Sequence, residues 1–295
     1  MKYFLSKYAK PFFYYGFAVL KDIFDFFIFV VHVLLAKRLS SSITKYRKIR
    51  TLPMFIMGNG PSLNEIKEDI KDRSQVNLAA VNLSILTDDF FYYKPEVYVA
   101  VDPTMINLNN ENSYKCWSLL RDKVNWNILL VINSGYSEEI KKIVSCNPFL
   151  HLASAPFGSW TPSTSFFKPF AFKLMDLGIN SAPRINVCIS AITASIVLGY
   201  KDIRLYGVDH SWFNNLAVDD FNRVCLKDTH FYDNEEPVYK PFYRINGKIH
   251  TMVTLMEGYV ELFSAYEVIR QYADFKNIKI INKTKGSFID AFEKG

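Results

Sequence analysis

The apolar run at residues 52–57 stops at Gly58-Asn59-Gly60-Pro61-Ser62-Leu63, and a charged stretch with apolar residues at Leu63, Ile66 and Ile70 follows. Taken in that order, the three pieces predict a strand, a tight glycine turn and a helix. Ser62 stands where an N-cap is wanted, and Glu65, three residues on, would complete a capping box. Such a turn gathers free backbone N–H groups and the positive end of a helix dipole at one spot, which suits an anion. A bare Gly-x-Gly is a weak signal; its place between a strand and a helix is what makes it a candidate ligand loop.

The rest of the chain continues the alternation. Short apolar runs at 76–83, 97–101, 128–133, 203–206 and 278–281 read as strands, and 191–198 and Met252–Phe275 read as helices. The expected architecture is therefore α/β: a single Rossmann-like, mostly parallel sheet domain over residues 51–295. Two aromatic, proline-bearing stretches near 152–173 and 214–244 lack periodicity and are expected as lid loops. Ligands of such sheets sit beyond the carboxyl ends of the strands. Asn59, Asn82, Asp102, Asp209 and Asn282 all fall at or just after predicted strand ends, so they are candidate site residues.

Residues 1–50 have a different character. The chain carries a net charge of +6, but its first fifty residues alone hold ten basic and two acidic side chains, leaving the remainder slightly acidic. A nucleic-acid binder would carry its positive charge on the folded domain, so no nucleic-acid partner is expected. The uninterrupted apolar stretch 26–36 is eleven residues long, short of the roughly 20 that a spanning helix needs. An aromatic, amphipathic helix followed by Lys37, Arg38, Lys45, Arg47, Lys48 and Arg50 fits peripheral contact with an anionic leaflet. The expected location is thus the cytoplasmic face of the inner membrane. The alternatives are a helix packed on the enzyme core or on a second subunit, which would make a homo-oligomer, or a true spanning helix. Four cysteines without a CxxC pair predict neither a metal knuckle nor a disulfide framework.

Several stretches together resemble the Campylobacter-type bacterial sialyltransferases and the related 6-hydroxymethylpterin diphosphokinase-like proteins, which include motility-associated factors. They are Gly58-Asn59-Gly60-Pro61-Ser62-Leu63, Val81-Asn82, Asp102-Pro103, Arg184 through Leu198-Gly199-Tyr200-Lys201, Gly207-Val208-Asp209 and Thr229-His230-Phe231. The resemblance runs over about residues 52–290 and implies one nucleotide-binding α/β domain with a lid and no required metal. It implies that Gly58, Asn59, Gly60, Pro61, Ser62 and Asn82 hold the ribose and phosphate of the nucleotide. It also implies that Arg184 lies in the active site, and that His230 deprotonates the acceptor hydroxyl. The chain departs from the sialyltransferases at Asp102 and at His210-Ser211-Trp212-Phe213, where they have asparagine and tyrosines; at Asp102 and at Ile281-Asn282-Lys283-Thr284-Lys285-Gly286-Ser287 it is closer to the diphosphokinase-like group.

Displacing a nucleotide from a sugar requires a base for the incoming hydroxyl, donors for the leaving phosphate, and alignment of the two partners. Histidine, with an ordinary pKa of about 6.5, suits the first task. His230 is the first candidate, and His210, beside Asp209 at a strand end, is the second. The guanidinium of Arg184 suits a carboxylate or phosphate. Asp102 and Asp209 suit ribose hydroxyls, helix caps or Mg²⁺.

The function expected from these features is inverting transfer of a sialic-acid-like (nonulosonic) sugar from a CMP-activated donor to a lipid-linked or surface glycan. The alternatives are an ATP- and Mg²⁺-dependent diphosphokinase of a pterin-like molecule, or a non-catalytic subunit of a polysaccharide-assembly complex.

Overall fold

The computed structural model describes residues 10–35, 42–133, 138–156, 158–227, 238–244 and 246–295. In chain order the elements are α1 (Lys10–Leu35), β1 (Met54–Met57), α2 (Ile66–Asp69), β2 (Asn77–Val81), α3 (Asp88–Tyr93), β3 (Val97–Ala100), α4 (Glu111–Lys123) and β4 (Ile128–Ile132). There follow α5 (Glu138–Ser145), β5 (Leu150–Ser154), α6 (Lys168–Asp176), α7 (Val187–Val197) and β6 (Asp202–Tyr206). The last group is β7 (Leu216–Val218), β8 (Val224–Leu226), β9 (Lys240–Pro241), α8 (Met252–Phe275), β10 (Lys279–Asn282) and β11 (Glu293–Lys294).

Among the described residues, eight strands form one sheet in the order β11-β10-β6-β1-β2-β3-β4-β5. Every pairing in it is parallel. The central strands are unbroken apolar runs (MFIM, VYVA, ILLVI) with every residue buried, as a sheet covered on both faces demands. One face packs Ile56, Val81, Val99, Val131 and Leu205 against α7 and α8. The other packs Ala80, Tyr98 and Leu130 against Trp117 and Leu120 of α4, and Phe55 and Tyr206 against Leu63 and Ile66. This is the doubly wound α/β arrangement that the alternation predicts.

Helix α7 is the central piece of the covered face, with every residue from Cys188 to Val197 buried. It begins four residues before the apolar run at 191 that marks it in sequence. Asn186 caps it by accepting from the Cys188 N–H at 2.8 Å. Its hydroxyls bond back to the helix carbonyls, Thr193 to Ile189 at 2.9 Å and Ser195 to Ala191 at 2.7 Å, which is how polar side chains survive in an apolar layer.

The N-terminal segment is not a separate unit. Helix α1 lays one stripe on the domain: Phe26, Phe29, Val30 and Val33 pack on Trp160, Phe167, Ala171 and Ile179. Within that stripe Asp22 is 1 % exposed and accepts from the N–H and hydroxyl of Ser163 (2.8 and 3.0 Å) and of Thr164 (2.9 and 2.6 Å). The opposite face is bare and apolar, with Phe17, Leu20, Phe24, Phe27 and Leu34 between 61 and 76 % exposed. Among the described residues no helix is long and apolar enough to cross a membrane.

Residues 42–50 are built into the fold as well. Ile43 is fully buried, Ser42 bonds Ser154, and Arg47 donates to the Val197 carbonyl at 2.7 Å and pairs with Asp176 at 3.4 Å. The expected boundary at residue 50 therefore crosses packed structure, and Arg47 is paired within the domain.

The described residues of 152–173, expected as a lid, comprise the end of β5, a turn that buries Trp160, Pro162 and Thr164 beneath α1, and the start of α6. In the other expected lid, β7, β8 and β9 form a small antiparallel sheet.

Candidate functional site

Register determines where the site lies. Met57 is level with Ala80 of β2 and with Tyr206 of β6, so the three chains leave the sheet side by side. Strand order turns around β1: the chain runs outward through β2 to β5 on one side and returns through β6 on the other. A cavity of about 200 Å³ opens at this turning point. Its walls are Asn59 and Gly60 after β1, Val81 and Asn82 at the end of β2, and Gly207, Asp209, His210, Trp212 and Asn215 after β6. Its remaining wall is the N-terminus of α7, at Asn186, Val187 and Cys188. Crevices at such switch points are where open α/β sheets bind their ligands.

The glycines of the loop serve the sheet first. The Gly58 N–H donates to the Tyr206 carbonyl and the Gly60 N–H to the Gly207 carbonyl, both at 2.8 Å. A Cβ on Gly58 would lie 2.3 Å from the Gly207 oxygen, and one on Gly60 would lie 1.8 Å from Asp209 Oδ2. Two of the N–H groups expected to be free for an anion are thus spent on the β6 turn, and both positions need glycine for close approach.

The expected capping box is not formed. Gly60 occupies the N-cap position and Pro61 opens a 3₁₀ turn, Pro61–Glu65, which places Ser62 inside it. The Ser62 hydroxyl donates instead to Asp209 Oδ2 at 2.9 Å. The carboxylate of Asp209 therefore already fills the place where an anion was expected. Burial pushes the pKa of Asp209 up, and its bonds from Ser62 offset only part of that.

Two amides face the cavity with unspent capacity. Asn59 Oδ1 and Asn82 Oδ1 are buried and have no partner among the described residues, an arrangement that costs about 1–3 kcal/mol per group unless a ligand supplies the donor. The backbone is also strained here: Asn82 (φ 41°) and His210 (φ 50°) adopt the left-handed conformation without being glycine. Tyr98 holds the first by donating to the Asn82 carbonyl. The residue after β6 is strapped from the C-terminal end: the Phe288 N–H donates to the Asp209 carbonyl at 3.1 Å and Ser287 Oγ to the Val208 carbonyl at 2.8 Å.

His210 is 6 % exposed, its Nε2 lies 2.7 Å from the Tyr266 hydroxyl, and its ring lies against Trp212 with centroids 4.5 Å apart. Burial lowers its pKa to about 3, so it is neutral at physiological pH and a weak base. It positions the cavity wall better than it removes a proton.

The other sequence candidates lie elsewhere. Asp102 caps the turn Pro103–Ile106, accepting from the Thr104 N–H and hydroxyl, each at 2.8 Å. It follows β3, three strand spacings from Asp209, or about 14 Å by sheet geometry. The two carboxylates do not come together on one Mg²⁺, and among the described residues no group of three or more His, Cys, Asp or Glu could hold a metal ion. Arg184 donates to Asn133 Oδ1 and the Pro156 carbonyl, each at 3.1 Å, near the ends of β4 and β5 and outside the cavity; desolvation lowers its pKa. Asn282 is structural, bonded to Ser287, Ile289 and Thr284. His230 lies outside the described residues. Asn186, Cys188, Trp212 and Asn215 line the cavity without having been singled out in sequence. An asparagine just before an apolar helix is a capping signal, and it would have located the first.

Fold and cavity together define a Rossmann-like α/β protein with a crevice at the switch point. No family model matches the chain, and no curated protein matches it. Among solved structures, the chain is similar in course to the Maf glycosyltransferase of Magnetospirillum magneticum AMB-1, with a TM-score of 0.46 and 12 % identity over 86 % of this chain. The chain spans 37 % of that protein's length.

Proposed function

We propose that the protein is a glycosyltransferase. In this reading it moves a sialic-acid-like sugar from a CMP-activated donor to a lipid-linked or surface glycan, with inversion. The observation that carries the reading is the switch-point cavity with its unpartnered amide oxygens, Asn59 Oδ1 and Asn82 Oδ1. They present acceptors to a ligand rich in N–H and O–H groups, as a nucleoside is.

Asp209 adds a third acceptor at the same wall and suits ribose hydroxyls. The N-terminus of α7, capped at Asn186, is the anion-favouring end of an eleven-residue helix and suits the leaving phosphate. His230 is assigned the acceptor proton on the family resemblance, because the low pKa of His210 leaves it the poorer base. Arg184, at the β4 and β5 ends, is assigned a carboxylate or phosphate on the same family resemblance.

Peripheral membrane contact through α1 belongs to the same proposal. The helix spends one stripe on the domain and leaves an apolar face outward, which suits contact with the membrane that carries a lipid-linked acceptor. The proposed location is the cytoplasmic face of the inner membrane.

The test is thermal unfolding of the full chain with CMP, CDP, UDP, GDP and ATP, each with and without Mg²⁺. A ligand at about 100 times its Kd stabilises the native state by about 2.7 kcal/mol, a shift of several degrees. Selective stabilisation by CMP without metal is the expected result. ATP with Mg²⁺ as the sole stabilising pair would replace the transferase with the kinase, and UDP or GDP would keep a transferase with a different donor.

A further inference from the structure

A second cleft lies at the amino edge of the sheet, across the molecule from the nucleotide cavity. It is lined by the segment 45–50, by Glu96 and Asn127 just before β3 and β4, by His151, and by Tyr200 just before β6. Lys45, Lys48 and Arg50 all face it. Its neighbouring charges are already satisfied. Glu96 accepts from Arg73 at 2.8 Å and from the Leu78 N–H at 2.7 Å. Arg47 is spent on Asp176 and Val197.

Two donors at the back of this cleft are not satisfied. Tyr200 is fully buried, and its hydroxyl has no hydrogen-bond partner among the described residues. Arg50 lies with its guanidinium carbon 4.9 Å from the centre of the Tyr200 ring, and its Nε is likewise buried without a partner among the described residues. A cation held against an aromatic ring is stabilised there, but the ring takes up none of its N–H bonds. Burial raises the Tyr200 pKa to about 12, so the hydroxyl keeps its proton and remains a donor. Buried donors without acceptors are costly, and native folds rarely keep them without a reason. Here the missing groups are acceptors, and they are missing beside three cations.

We infer that this cleft binds a phosphate group, held by Arg50, Lys45 and Lys48 with the Tyr200 hydroxyl as an additional donor. Several oxygens on one anionic centre match a guanidinium and two ammonium groups lining one cleft, with an unpartnered hydroxyl beside the guanidinium. The site is independent of the nucleotide cavity and of its assignment. The phosphate can come from a soluble phosphoryl compound or from the headgroup of an anionic lipid.

The experiment measures binding to the full chain of pyrophosphate, by calorimetry, and of phosphatidylglycerol vesicles, by co-sedimentation against phosphatidylcholine controls. It compares the wild type with Arg50→Gln, Tyr200→Phe and Ser62→Ala. Arg50→Gln is expected to weaken binding about tenfold, the loss of one charge-assisted contact. Tyr200→Phe is expected to weaken it severalfold while the free protein melts no lower than wild type, because the change removes an unsatisfied buried hydroxyl. Ser62→Ala, in the switch-point loop, is expected to leave the binding of both probes unchanged. Arg50-dependent binding of pyrophosphate identifies a soluble ligand, and Arg50-dependent binding of vesicles alone identifies a lipid headgroup. Absence of saturable binding to both probes overturns the inference. So does binding that Arg50→Gln and Tyr200→Phe leave intact, or binding that Ser62→Ala abolishes.

Discussion

Replacing Asp22 by asparagine isolates the contact that fixes α1 to the domain. The carboxylate accepts four hydrogen bonds, two on each oxygen, and Trp160 Nε1 donates to the Asp22 carbonyl at 3.1 Å beside them. Asparagine keeps one acceptor oxygen and turns an NH₂ toward a backbone N–H, which cannot accept, and a hydroxyl, which can accept only by turning its own proton away. Two bonds to a charged acceptor are lost, the hydroxyl recovers at most a neutral bond by accepting, and a backbone N–H is left facing another donor. Hydrogen bonds to charged groups contribute about 1.5–3 kcal/mol each before the penalty for stranded donors. The expected loss in docking free energy is about 3 kcal/mol, or roughly a hundredfold in the docking equilibrium.

Trp160 reports the event because it is 3 % exposed and packs on Phe26 with ring centroids 4.7 Å apart. Undocking moves its emission to the red and opens α1 to limited proteolysis at urea concentrations below the main transition. The pH dependence has a definite sign. Burial acts to raise the Asp22 pKa, but the bonds from Thr164 and Ser163 outweigh it and hold the carboxyl below its ordinary range. The stabilisation is therefore complete above the ordinary carboxylate pKa and is lost as pH falls through the depressed one. The gap between wild type and Asp22→Asn should close in acid. Identical proteolysis and Trp160 emission in the two proteins at neutral pH would refute the docked arrangement of α1.

The His210 ring should show no titration by NMR between about pH 5 and 8, where an ordinary histidine changes charge. Its depressed pKa, about 3, also means that its contribution to stability is present above the ordinary imidazole pKa and falls as the pH drops below it, because only the unfolded chain takes the proton. A titration midpoint near neutrality would show that the ring is not buried against Tyr266. Gly58→Ala is expected to lower stability by about 3 kcal/mol in urea denaturation, the upper end for an overpacked site, because its Cβ meets backbone rather than a yielding side chain. A wild-type midpoint would mean that the loop does not press on β6. The double change Phe24→Glu and Phe27→Glu is expected to weaken association with anionic vesicles, read by co-sedimentation, about a thousandfold while leaving the melting temperature unchanged, since each buried Phe contributes roughly 2 kcal/mol. Undiminished sedimentation would remove the apolar face of α1 as the contact.

The strands were legible in the sequence because a buried parallel sheet writes them as unbroken apolar runs, and α8 because its length stands clear of its neighbours. The switch-point cluster of Asn59, Asn82 and Asp209 was legible for the same reason: residues at the carboxyl ends of adjacent parallel strands must meet. What was not legible depends on long-range pairing. Asp22 reads in sequence as a charge interrupting an apolar helix, and only the turn at Ser163 and Thr164, about 140 residues away, shows it to be a buried acceptor. The same turn explains why 152–173 looks like a lid: its prolines and aromatics lack periodicity because they pack beneath a helix from the other end of the chain. Arg47 and Arg50 likewise count as surface charge until Asp176 and Tyr200 are placed beside them.

The occupied anion position has a consequence for how a nucleotide would lie. With Asp209 ionised at Ser62, a phosphate brought within 4 Å of it meets a repulsion of about 4 kcal/mol at the effective dielectric of a partly open site. That is enough to offset the gain from the loop's few remaining N–H groups. The raised pKa of Asp209 lessens the conflict. Ribose hydroxyls face no such conflict, because each donates a proton to a carboxylate already oriented by Ser62. The glycine loop and β6 turn thus favour the sugar of a nucleoside, and the negative charge is better placed at the cavity's other wall, where α7 begins at Asn186. The loop that looks in sequence like a phosphate cradle is, in this geometry, better suited to a ribose.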